Sequence, residues 1–526
     1  MKCTLFFLLL LICLPPVLHA QQSIADSTSK EPVEILNAKN FYFKRIDPTT
    51  ELKILSGKVR LRQGTAIFDC DSCVVNSTVH IFEAFGNVHI NDHDTTNIYS
   101  DYLRYLTNTK IAYLNGNCRM SDGHATLTTP DLQYDVNTKI GTYTHGGRVV
   151  NKKSVLASKE GTYYSDLRDI YFKTNVELKD PSYYLKTDSL LYNTETQIAR
   201  FIADTYIRDS SGRIVRTKEG YYDLANKKSE FFSRTTITDK AMTASADKMA
   251  NDEAAGIIQM EGRAVMRDTA KGMNVLADRI FIDQKRDAFL ATKKPLMIIK
   301  QDNDSIYVAA DTLFSAKLTE LYKNDSAKLK TFHFKEKDST NRYFEAYRHV
   351  RVFSDSVQSV SDSLYYSFLD STFHLFYDPV VWNKKSQITG DTIYLYTKNK
   401  KASRIKTIEN SFIVNEVEAG VYNQIKSSRM DGFFKEGTLD SVRAKGLAES
   451  VYFIQDNDSA YTSVNQTKSD AIDIYFNKGD LYKVIFRSDL KGTLYPISQK
   501  QPNEMKLPNF RWLIDRRPKT KYDLFE

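Results

Sequence analysis

A self-similarity with a period of about 29 residues is the feature that most restricts what this 526-residue chain can fold into. Ala84-Phe85-Gly86-Asn87-Val88-His89-Ile90 returns as Leu114-Asn115-Gly116-Asn117-Cys118-Arg119-Met120. With the glycine as anchor, one slot is filled in turn by Gly57, Gly86, Gly116, Gly146, Thr174, Ala203, Ser233 and Gly262. A unit this short cannot bury an apolar face alone, so consecutive units must stack.

Inside each unit the period is two. Four residues past the anchor stand Leu61, Ile90, Met120, Leu178, Ile207 and Ile237, and two past it Val59, Val88 and Val176, whereas the slots between hold residues such as Arg60, His89 and Glu177. Alternation of this kind marks a strand with one buried face. A second strand per unit carries its own box: Ser100-Asp101-Tyr102-Leu103, Pro130-Asp131-Leu132 and Thr187-Asp188-Ser189-Leu190. Polar clusters such as Asn91-Asp92-His93-Asp94 supply the reversals of direction. The pattern predicts an all-β fold, two long strands per unit joined as a stacked antiparallel meander. Its inward column comprises Val59, Leu61, Val88, Ile90, Leu103, Met120, Leu132, Val176, Leu178, Leu190, Ile207 and Ile237. The 32 Tyr and 29 Phe against 12 Pro suit pleated strands, and many aromatics fall in repeating slots, among them Phe172, Phe201 and Phe231 or Tyr105, Tyr134 and Tyr192.

The regular repeats are expected over residues 33–315. A polar, Lys-rich linker or insertion follows at 316–341. The echo of the first strand then returns at Glu345-Ala346-Tyr347-Arg348-His349-Val350-Arg351-Val352, opening a second, less regular β region over 342–496. Residues 398–430 fit neither strand nor helix by pattern alone. The tail, 497–526, has no period and is either an extended docking segment or disordered.

At the N-terminus, Lys2, an apolar run over 5–14 and Val17-Leu18-His19-Ala20 read as a signal peptide, 1–20, cleaved after Ala20, with 21–32 a flexible segment behind it. Cys13 lacks the preceding small residue of a lipid-modified cysteine, which favours soluble release over anchoring. Cys118 takes the slot of Val88 and Cys73 that of Leu103, so both read as small inward residues. Cys70 and Cys73 lie three apart, which on an extended strand puts them on opposite faces; filler, a disulfide and a metal or redox pair remain the readings. The histidines are scattered on polar slots. No nucleophile, metal-ligand or phosphate-loop motif occurs, so no enzyme, metal or cofactor is expected. A net charge of +8 over this length is too dilute for nucleic-acid binding.

A Gly-Asn-Val strand followed by Ser-Asp-x-Leu-x-Tyr, repeated behind a signal peptide, resembles the OstA-like family, the organic-solvent-tolerance proteins that include the periplasmic lipopolysaccharide-transport bridge. The resemblance is clearest over 33–200, persists to about 290 and reappears from 342. It implies a β-jellyroll whose two sheets form a V-shaped trough, in the periplasm of a Gram-negative bacterium, shielding lipid A acyl chains on their way to the outer membrane. It implies as partners lipopolysaccharide and the inner- and outer-membrane transport components, docked through edge strands, with head-to-tail self-association as a further possibility. An inward apolar stripe meets the physical need, since each CH₂ exposed to water costs about 0.8 kcal/mol. Small anchor residues then let the strand bend or leave room for lipid, and Lys58, Arg60, Arg119 and Arg263 are either phosphate contacts or a solvated face. Two rivals stand beside this reading: a structural or adhesive β-repeat protein whose stripe packs on itself, and a polysaccharide-acting enzyme on a parallel β-helix.

Overall fold

The computed structural model describes residues 31–525 apart from 94–95, 271, 301–304, 333–339, 399–400, 457, 459, 479 and 501. The expected signal peptide therefore lies outside the described residues, as does residue 30 and everything before it.

Every strand pairs antiparallel with its neighbours, which excludes the one-way coils of a parallel β-helix. Strands Glu51–Gln63, Ala66–Asn76, Ile81–Asp92, Thr96–Leu106, Ile111–Ser121 and Ala125–Asp135 follow one another in space as in sequence. The ladder continues for about 28 rungs, on the order of 130 Å at the usual strand spacing. The protein is a stacked antiparallel β-jellyroll.

Each rung turns a corner at its middle, and the corner explains both sequence boxes. In the first strand of a unit, Gly86 (φ +74°) and Asn87 (φ +47°) are consecutively left-handed, as are Gly116 (φ +80°) and Asn117 (φ +47°). A Cβ on Gly86 would stand 2.5 Å from Asp71 Oδ2 of the adjacent rung, and Asn87 Nδ2 donates to that same oxygen at 2.8 Å. Asn117 repeats the bond to Asp101 at 2.7 Å. In the second strand the hydroxyl that opens the box closes the bend, Ser100 Oγ donating to Tyr102 O and Thr129 Oγ1 to Asp131 O, both at 3.0 Å. The Asp of one box thus covers the glycine of the next. The small anchor serves the bend, and its slot is half-exposed on the outside rather than opening room inside.

Because the corner shifts the phase of the pleat, Cys70 and Cys73 both point inward, contrary to the expectation from an unbroken strand: Asp71 and Ser72 are the two residues turned outward between them. Both thiols and that of Cys118 are buried and free. A hydrogen bond with Cys70, and then burial, pushes the Cys73 thiol far above its ordinary value, so it stays protonated and inert.

Residues 318–332 carry two short helices, Leu318–Leu321 and Ser326–Phe332, set on the rim of the stack. The ladder does not divide there: Ser305–Ala309 and Thr312–Ala316 both pair directly with Tyr343–Phe353. The unassigned stretch is the long hairpin Lys401–Glu418 and Val421–Lys435. The tail is an extended strap laid back along the outer face of one sheet. Three glutamines on every second rung seat it: Gln424 donates to Met505 O and accepts from Leu507 N, both at 2.8 Å; Gln387 donates to Arg511 O and accepts from Leu513 N; Gln358 accepts from Arg517. Met505 and Leu507 pack on Phe412, Val414 and Phe453, while Leu513 and Ile514 cover Trp382.

Candidate functional site: an apolar interior closed by two lips

The corner is the spine of a V, and the hairpin turns form its two lips. Turns 64–65, 122–124 and 152–153 belong to one lip, and 77–80, 107–110, 137–139 and 165–168 to the other. All twelve residues of the expected inward column lie between the sheets, 0–5% exposed, in one apolar cluster that runs from Leu55 to Phe476. Leu103 stacks between Ala84 and Leu114 on the rungs before and after it, and Leu178 between Leu156 and Leu185.

Polar side chains join the lips. Tyr105 Oη donates to Gln63 Oε1 at 2.8 Å, Gln63 Nε2 to Thr107 O at 3.0 Å, and Tyr134 Oη to Asp92 Oδ2 at 2.8 Å. Thr194 Oγ1 reaches Asp122 Oδ2 at 2.8 Å, Asn151 bonds to Thr194 O, and Arg213 pairs with Glu253 at 2.7 Å. The closing pairs sit 42 or 43 residues apart at Tyr105, Tyr134 and Asn151, so one lip is sheared by about three rungs against the other. Burial, and next the charge of Asp92, raises the Tyr105 and Tyr134 hydroxyls well above the usual tyrosine value and keeps them donors. Burial works to raise the carboxyl of Asp122, yet the Tyr163 hydroxyl, the Ala125 amide, the Thr194 hydroxyl and the His124 amide outweigh it and hold that carboxyl below its ordinary value.

The recurring Tyr105, Tyr134 and Tyr192 are visible in the sequence as a period. Their partners on the opposite lip are not, because the shear between lips has no counterpart in the repeat. The basic residues on outward slots are engaged on the convex face, away from the lips: Arg60 with Asp69, Arg263 with Asp247, and Arg119 over the ring of Tyr99.

The seal is interrupted in the later rungs. A cavity of about 610 Å³ opens between turn 354–357 of one lip and Thr397, Lys401, Ala402 and residues 436–438 of the other. Its floor is Val352, Val357, Phe373, Leu375 and Leu395, all members of the main apolar cluster. Lys384, Lys401 and Arg517, with Asp355 and Glu436, form its rim. Beyond it the lips close again, Asn383 bonding Gly437 O at 3.0 Å and Leu439 N at 3.1 Å.

Among the described residues no cluster of His, Cys, Asp and Glu has the geometry to hold a metal ion, and no helix is long and apolar enough to cross a membrane. Among the described residues the ends of the ladder are open edges. Glu34–Asn37 and Asn40–Arg45 present Ile35, Phe41, Tyr42 and Phe43 to solvent, the last two 58% and 59% exposed. At the far end lie Asp480–Arg487 and Lys491–Pro496, with Tyr482 and Leu494 exposed.

Geometry of this kind, bent rungs stacked around an apolar interior, defines a β-jellyroll scaffold. Residues 30–188 match the family of OstA-like proteins. Among solved structures it is similar to LptH, described as the LptA-homologous periplasmic component of the conserved lipopolysaccharide transport device from Pseudomonas aeruginosa. That match has 13% sequence identity and a TM-score of 0.19, over 21% of this chain and 83% of LptH. A comparison with curated proteins gives no match.

Proposed function

We propose that the chain is a periplasmic lipopolysaccharide transport protein that shields lipid A acyl chains between its two sheets on their way to the outer membrane. The observation that carries this reading is the unbroken apolar column, Val59 to Ile237 and onward, with an OstA-like segment at its start. A multi-chain amphiphile needs continuous apolar contact to cross water, since every CH₂ left exposed costs about 0.8 kcal/mol. Lipid enters by parting the lips. The bridges between them are separate polar contacts, each contributing about 1 kcal/mol net or about 1.5–3 kcal/mol where a charged group such as Asp92 or Glu253 takes part, so a stretch of lip opens at a cost that a few buried methylenes offset. The bare rungs at Asn40–Arg45 and Lys491–Pro496 offer unpaired backbone to transport components of the two membranes, or to a second copy, by strand addition.

The closed lips favour a second reading, a structural or adhesive β-repeat protein of the cell envelope with no lipid cargo. The two separate in one experiment. A photo-crosslinking residue is placed at Ile90, Leu103 or Leu178, and at His89 or Glu177 as outward controls, in cells exporting lipopolysaccharide. Adducts confined to the inward set are the expected result. Equal labelling of both sets, or none, sinks the transport reading.

A further inference from the structure

The cavity in the later rungs differs from the rest of the interior in three ways that bear on what it holds. It makes the apolar column reachable from outside, because its floor residues belong to the same cluster as the sealed column. Its volume, about 610 Å³, falls in the range of about 300–1,000 Å³ that buries small ligands. And its rim carries cations held by uncharged partners. Arg517 Nε and Nη2 donate to Gln358 Oε1 at 2.9 and 2.6 Å, and its Nη1 to Lys384 O at 2.7 Å. Lys384 Nζ donates to Lys478 O at 3.1 Å. Among the described residues neither cation has a carboxylate partner, whereas Arg511 and Arg516 of the same strap both pair with Asp378. A half-buried guanidinium bonded to amide and backbone oxygens alone retains most of its attraction for an anion, and burial, which lowers its pKa, reflects the same uncompensated charge.

We propose that this cavity is a lateral portal that holds an anionic amphiphile. The acyl chain lies on Phe373, Leu375 and Leu395, and the anionic head sits against Arg517 with Lys384 and Lys401 beside it. The strap is part of the site, since it supplies Arg517. The proposal rests on the transport reading and adds where along the stack the cargo is exchanged and what recognises its head.

The test uses the full chain and dodecyl phosphate below its micelle concentration, with dodecanol and inorganic phosphate as comparisons. A photo-crosslinking residue at Leu395 is expected to capture the alkyl chain. Arg517→Ala is expected to weaken dodecyl phosphate about tenfold, the size of one lost charge-assisted pair, and to leave dodecanol unchanged. Lys401→Ala, on an exposed side chain that the fold does not need, weakens it by about twofold to threefold. The near-ultraviolet signal of Trp382 and Trp512 confirms that the strap remains seated in both variants. Three results overturn the portal: no capture at Leu395, unchanged dodecyl phosphate binding in both variants, or full competition by inorganic phosphate at equal concentration, which marks a site for free phosphate. Capture of lipopolysaccharide at Ile90 in cells with none at Leu395 removes the portal and leaves the transport reading standing. Absence at both positions removes both.

Discussion

In the first part of the stack, up to about residue 316, each sheet buries one face, and in the part from Tyr343 one sheet buries two. The contrast is plain in single strands. Thr96–Leu106 alternates buried and half-buried residues up to its corner, whereas all four residues of Val380–Asn383 are buried, as are the first four of Gln358–Ser367. In the later strands Val381 and Ile388 face the interior, while Val380 and Trp382 face the strap. One ladder therefore follows two rules of side-chain choice. A strand buried on both faces loses its period of two, and the later region looks irregular in sequence for that reason, although its hydrogen bonding is as continuous as before.

Removing the strap is the strongest way to break the comparison. A chain ending at residue 496 exposes the surfaces under Met505, Leu507 and Leu524, a loss on the order of 5 kcal/mol from these three side chains. Hydrogen exchange is expected to rise sharply over 358–464 and to stay unchanged over 51–200. Trp382→Ala is next, at about 3–5 kcal/mol in denaturant unfolding, against under about 1 kcal/mol for Tyr99→Ala on the uncovered outer face of the first part. Tyr134→Phe leaves Asp92, 1% exposed, without its hydroxyl donor and is expected to cost about 1–3 kcal/mol, with faster proteolysis at the lips. Gly86→Ala forces a side chain into a left-handed corner against Asp71 and lowers stability by about 1–2 kcal/mol, read as a fall in melting temperature.

The smallest effect is an acid dependence. The Asp122 carboxyl is held below its ordinary value of 3.8 in the folded chain, so its contribution is fully present above that value and is lost as pH falls through the lower folded value. Acid unfolding followed by tyrosine fluorescence is expected to lose part of its slope below pH about 4 in Asp122→Asn. An unchanged slope removes Asp122 from the seal.

How much of this was legible in the sequence follows from what repeats and what does not. The inward column and the meander were readable because each rung repeats one short rule. The corner was present as two boxes, Gly-Asn and Ser-Asp, whose meeting across neighbouring rungs needs three dimensions. Cys70 and Cys73 show the cost of missing it, since one inserted residue of phase reverses a side chain. The lips were half legible: Tyr105 and Tyr134 recur, but Asp92 reads as an ordinary turn residue and Gln63 belongs to no recurring slot. The tail stood open between an extended docking segment and disorder, and its seat and the cavity beneath it were invisible, because Met505, Leu507 and Arg517 obey no period and meet residues far back in the chain.

That distance has a consequence for how the molecule forms. Backbone pairing joins each rung to the rungs before and after it, so a nucleus formed anywhere can grow one strand at a time as the chain emerges. The strap reaches furthest. Its bonds span 81 residues at Gln424 and 172 at Arg351, where the guanidinium donates to Asp523 O. Contacts of such high order form late. They reward only a chain whose last dozen rungs are already in register, so seating the final residues is a check that the stack has been completed correctly.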